Sequence, residues 1–130
     1  MNKEIRILLV DDESDFTESM SFWFKSKGYS VTSVSNGKDA LKTIKENPPD
    51  IVFLDIIMPN IDGLAVLKMI REFNKTLPVI MMSAYLQGSE GEREEDLRGS
   101  SGVFYKDEGF SKALALLESA LSTDEKLKDE

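Results

Sequence analysis

The chain has 130 residues, 41% hydrophobic and 31% charged, which suits one ordinary globular domain with an adequate core. Lys and Arg number 16 against 24 Asp and Glu, and a net charge of -8 repels phosphates, so direct nucleic-acid binding is not expected. There is no cysteine, which excludes disulfides and thiolate metal sites, and no apolar run approaches the roughly 18 residues of a membrane span.

The chain alternates two kinds of segment. "IRILLV" (5–10) is a short apolar run that reads as a strand. In 14–27, Phe16, Met20, Trp23 and Phe24 recur at i, i+4, i+7 and i+8, a helical stripe closed by Gly28. "SVTSV" (30–34) is a β-branched strand. Ala40, Leu41 and Ile44 form a helical stripe in 37–47, ended by Pro48 and Pro49. "IVFL" (51–54) is the next strand, and Val66, Met69, Ile70 and Phe73 stripe a helix over 63–73 before Pro78. "VIMM" (79–82) and "VFY" (103–105) are the last strands. Phe110, Ala113, Leu114, Leu117 and Leu121 stripe a helix over 109–121. Near-continuous apolar strands suit a parallel sheet covered on both faces, so the expected class is α/β, (βα)5, doubly wound. One domain is expected over 1–121, with 122–130 a charged tail or linker. The acidic start "MNKEIRILLVDDE" does not read as a signal peptide, so the expected location is the cytoplasm.

In open α/β sheets ligands bind at the carboxyl ends of the strands. There stand Asp11, Asp12 and Glu13 after the first strand, Asp55 after the third, Ser83 after the fourth and Lys106 after the fifth. In a flavodoxin-like order strands 1 and 3 are neighbours, so their acids converge. Two carboxylates ~5 Å apart repel by roughly 3 kcal/mol at an effective dielectric near 20. Protonation or a divalent cation would offset that, and an all-oxygen donor set favours Mg²⁺. A Rossmann-type nucleotide site would need a Gly-rich turn after the first strand. "DDES" has none, and the Walker pattern is absent, so nucleotide binding is rejected.

"ILLVDDE", "IVFLDIIMPNIDG", "VIMMSA" and "GVFYK", in that order, resemble the response regulator receiver domains of two-component signalling over roughly residues 3–121. The resemblance implies a flavodoxin-like, parallel five-stranded sheet of order 2-1-3-4-5. It implies that Asp55 accepts a phosphoryl group from a histidine kinase or phosphotransfer protein. It implies that Asp11 and Asp12 hold Mg²⁺ with Asp55 and the backbone carbonyl of Ile57, and that Ser83 and Lys106 contact the phosphoryl oxygens. Small Ala84 leaves that group room. The implied output is to a downstream protein or effector domain, through the face made by the fourth helix, fifth strand and last helix.

Other positions carry smaller expectations. Glu13 is read as a cap of the first helix, and Phe22 as a lone aromatic on its polar side. Ile57 and Tyr85 flank the acceptor, and neither would orient a hydrolytic water, so a slow loss of phosphate is expected. The family's aromatic switch position holds Val103, with Tyr105 two residues on, and the proline usual after the lysine is Asp107, so a trans Lys106–Asp107 bond is expected. The expected fourth helix, 87–99, has one apolar residue, Leu97, and is weakened further by Gly88 and Gly91, which predicts a short, displaced or mobile segment. After residue 121 no room for a DNA-binding domain is expected. Two alternatives stand beside the phosphoacceptor. One is a degenerate receiver acting through protein contacts alone. The other is a Mg²⁺-dependent aspartyl phosphatase, which would want a second acid where Ile57 stands.

Overall fold

A computed structural model describes residues 4–58, 60–84 and 97–122. Five strands, β1 (Arg6–Val10), β2 (Ser30–Val34), β3 (Ile51–Asp55), β4 (Val79–Ser83) and β5 (Gly102–Tyr105), pair in parallel in the order β2-β1-β3-β4-β5. The described helices are α1 (Ser14–Ser26), α2 (Gly37–Glu46), α3 (Gly63–Phe73) and α4 (Phe110–Ser122). Of the expected helix at 87–99, residues 87–96 lie outside the described residues; 97–99 form a turn, and Leu97 packs against the core. Pro59, Tyr85 and most of the tail, 123–130, also lie outside them.

The two-residue period of a strand explains the core. Leu8, Val10, Val52, Leu54, Val79 and Met81 face one side and pack with Ala40 and Ile44 of α2 and Val66, Leu67 and Ile70 of α3. Ile7, Leu9, Ile51, Phe53, Ile80, Met82 and Phe104 face the other and pack with Met20 and Phe24 of α1 and Ala113, Leu117 and Leu121 of α4. Every residue of β3 and β4 is buried, which is why those runs carry no alternation in sequence. β2 lies at an edge, and its serines and threonine follow from its partial exposure. Truncating Phe53, fully buried at the centre, should cost about 3–5 kcal/mol.

One helical face differs from expectation. Met69 and Phe73 are 39% and 42% exposed, and the core side of α3 is Val66, Leu67 and Ile70. A stripe at i, i+3, i+4 and i+7 can rotate by one residue when a leucine stands next to its first member, and here Leu67 draws the helix round. The Phe73 ring instead lies 5.1 Å from Lys45 Nζ. Phe22 is exposed, as expected. Gly28 ends α1 in the left-handed region at φ 97°. No cis peptide occurs among the described residues, so Lys106–Asp107 is trans. No described helix is long and apolar enough to cross a membrane.

Candidate functional site

The parallel sheet sends the ends of β1, β3, β4 and β5 to one rim. Asp11 and Asp12 follow β1, Asp55 and Ser83 are the last residues of β3 and β4, and Lys106 follows β5. They meet as their spacing predicts. One carboxylate oxygen from each of Asp11, Asp12 and Asp55 lies within 4.8 Å of the others. Asp11 and Asp55 are buried, whereas Asp12 is exposed. A cavity of about 360 Å³ opens above them, lined by Asp12, Glu13, Asp55, Ser83, Ala84 and Lys106, with Ile57 at its lip.

Each acid is fixed locally. Asp11 Oδ1 accepts from the Glu13 N–H at 2.9 Å, and Asp55 Oδ1 from the Ile57 N–H at 3.3 Å. The rim of β3 is set by α3. Gly63 N donates to the Ile56 carbonyl at 2.6 Å, and a Cβ on Gly63 would collide with the Asp55 carbonyl oxygen. Glycine is required there by close approach of two backbones. Asn60 turns the preceding loop at φ 74°, a left-handed conformation asparagine tolerates. Ser83 shares the rim, and its carbonyl accepts from the Lys106 N–H at 2.8 Å, which carries β5 up to the site.

Lys106 is the counter-charge. Its Nζ lies 2.8 Å from Asp11 Oδ2, 2.6 Å from Glu13 Oε1 and 3.2 Å from Asp55 Oδ2. It also sits 4.9 Å from the centre of the Phe16 ring. Burial alone would lower its pKa, but Asp11, Glu13 and Asp55 outweigh burial and hold it above the ordinary value. Asp55 moves the other way for an acid. Burial, then the neighbouring Asp11 charge, push its carboxyl from 3.8 up to about 7, against the pull of Lys106. The cluster therefore carries more negative charge than one ammonium balances. Asp11 Oδ2, despite its ion contact with Lys106, is buried without an aligned hydrogen bond. A hard divalent cation fits a set of three carboxylates with an oxygen left in that state.

Two residues escaped the sequence. Glu13 occupies the N-cap position of α1, but its side chain makes no cap bond and reaches Lys106 instead, which corrects the capping role expected of it. Phe16, expected only as core, is the ring beneath the ammonium. A third acid directly after an acidic pair was the available signal for Glu13. Val103 packs against the core on the α2–α3 side, and Tyr105 is half-buried. Ile57 is 65% exposed.

A parallel sheet of this order, with carboxylates after β1 and β3 and a lysine after β5, defines a receiver-type signalling domain. The model of the response regulator receiver domain matches residues 7–117, and the chain belongs to that family. It is 36% identical over 84 residues to the alkaline phosphatase synthesis transcriptional regulatory protein PhoP of Bacillus subtilis, covering 65% of this chain and 34% of that protein. It thus spans about a third of the length of the curated relatives it matches. Response regulator TrrA of Thermotoga maritima in complex with Mg²⁺-BeF is similar at TM-score 0.81 and 30% identity, over 90% of this chain and 99% of that one. TrrA in complex with histidine kinase ThkA is similar at TM-score 0.80 and 31% identity, over 90% and 98%.

Proposed function

We propose that this domain takes a phosphoryl group onto Asp55 from a histidine kinase or phosphotransfer protein, with Mg²⁺ bound, and passes the change to a downstream protein or effector domain. The observation that carries it is the pairing of Asp55 with two further carboxylates within 4.8 Å and an ammonium at 3.2 Å. Asp11, Asp12 and Asp55, with the Ile57 backbone carbonyl, are the donors that would hold the metal, whose chemistry is to neutralise charge on the transferring oxygens. The ionised Asp55 carboxylate attacks phosphorus, a new O–P bond forms, and the bond to the donor breaks with its electron pair leaving on the donor. Lys106 and the Ser83 hydroxyl meet the equatorial oxygens, and Ala84 leaves them space. The likeness to TrrA supports both the metal and the kinase, since those complexes hold Mg²⁺-BeF and ThkA. Catalysis by the domain extends to gaining and losing its own phosphate. The phosphatase alternative loses ground because Ile57, exposed at the cavity lip, stands where a second acid would be needed.

Intact mass after incubation with acetyl phosphate and Mg²⁺ tests this. Wild type should gain one phosphoryl group and Asp55→Ala none; equal labelling of both would overturn the assignment, and no labelling of either would favour a degenerate receiver. Ile57 and Tyr85 are proposed to lengthen the lifetime, since neither orients water. Phosphate should leave wild type more slowly than an Ile57→Asn/Tyr85→Glu variant, and the reverse order would refute that role. Val103 and Tyr105 are proposed as the part of β5 through which the phosphorylated state is transmitted.

A further inference from the structure

Glu13 differs from the other acids of the rim. Its carboxylate makes the shortest of the three contacts to Lys106, at 2.6 Å, yet it is not one of the three acids clustered within 4.8 Å. Its side chain is 62% exposed at the mouth of the cavity and caps nothing. Lys106 has other holds as well. Asp11 and Asp55 hold the ammonium from below, and the Phe16 ring supports it at 4.9 Å. What Glu13 adds is a negative charge at the entrance, beside the cation that must meet incoming phosphoryl oxygens.

We propose that Glu13 is a specificity-determining residue, an electrostatic guard that disfavours small, free, dianionic phosphodonors at Asp55. This deepens the phosphoacceptor reading and rests on it. A dianionic donor approaching the mouth meets the Glu13 carboxylate and an ammonium already partly neutralised by it, so its binding is weakened. A protein donor brings its phosphoryl group in through its own contacts, and the one charge weighs less. With acetyl phosphate, an Asp55 oxygen bonds to phosphorus, the phosphorus–acetate oxygen bond breaks, and acetate departs with the electron pair.

The test measures initial rates of phosphorylation by intact mass for wild type, Glu13→Gln, Glu13→Asp and Asp55→Ala. Each is given acetyl phosphate, then phosphoramidate, which carries less negative charge, in Mg²⁺ at low salt and at 1 M salt. Glu13→Gln should speed labelling by acetyl phosphate roughly three- to tenfold, through a lower half-saturating donor concentration rather than a higher maximal rate. The gain should be smaller with phosphoramidate and should shrink at 1 M salt, where screening acts within about 3 Å. Glu13→Asp should behave like wild type. An unchanged rate in Glu13→Gln overturns the guard, and a slower one shows instead that Glu13 positions Lys106. If wild type takes no phosphate, or Asp55→Ala takes as much, the acceptor reading itself has failed, and the guard falls with it.

Discussion

α1 and α3 begin on the same rim, a few residues from the same carboxylate, and they begin differently. At α3, Asp62 caps the helix by accepting from the Ala65 N–H at 2.9 Å, and Gly63 lets the first turn press against the backbone of Asp55. At α1, the N-cap residue is Glu13, whose side chain leaves the helix uncapped and turns to Lys106. A side-chain cap is worth about 1 kcal/mol, so α1 forgoes stability that α3 keeps. One start fixes where Asp55 is; the other sets the charge around it. Local rules of helix formation are broken where the chemistry lies and obeyed beside it.

The α3 start should be the least tolerant of change. Gly63→Ala places a methyl group against the Asp55 carbonyl, and backbone cannot yield as a side chain can. It should lose about 3 kcal/mol or more in denaturant unfolding and be phosphorylated more slowly. Wild-type stability in that variant would mean that α3 can slide, and that the contrast with α1 is false.

Next comes the charge that surrounds Asp55. Asp55 is raised to about 7 in the folded state from an ordinary 3.8, so between those values the folded chain holds a proton that the unfolded chain has released. The contribution of Asp55 to stability therefore falls as pH rises from about 4 through 7, by at most about 1.4 kcal/mol per pH unit. Denaturant melts from pH 4 to 8 in a chelator should show this slope in wild type relative to Asp55→Asn, and parallel curves would contradict it. Millimolar Mg²⁺ should raise the melting temperature of wild type more at pH 8 than at pH 5, since it binds the ionised cluster. An equal rise in Asp55→Ala/Asp12→Ala would detach that effect from the cluster.

The two cap positions themselves should respond least. Asp62→Ala should cost about 1 kcal/mol, whereas Glu13→Ala, which removes an exposed ion pair and no cap, should stay within about 0.5 kcal/mol. Equal losses in the two variants would show that Glu13 supports its helix after all.

What the sequence made legible was what repeats or ends. Continuous apolar runs such as "VFL" in β3 have to be buried on both faces, and the polar residue that stops such a run has to lie at its rim, so Asp55, Asp11 and Ser83 could be placed without coordinates. What it hid were choices between equivalent options. The stripe of α3 allowed two rotations, and Leu67 rather than Met69 took the core side. The pairing of Glu13 with Lys106 joins residues 93 apart and depends on how β5 ends beside α1. Likewise Asp50, buried at the opposite end of the sheet, accepts from the Arg6 N–H at 2.8 Å, a tie between β1 and the entry to β3 that no local pattern announces.

The central position of β3 has a consequence for time. Its five residues are all buried, it is flanked by β1 and β4, and both faces are covered. Amides in such a strand exchange with solvent only when the whole domain opens, while edge strands and helix ends fray far more often. A phosphoryl group taken onto Asp55, as proposed above, would be tied to the segment that opens least. Its survival would then be governed by the chemistry of water in the cavity and not by breathing of the chain beneath it, so a clock read at this site would keep its rate until the fold itself gives way.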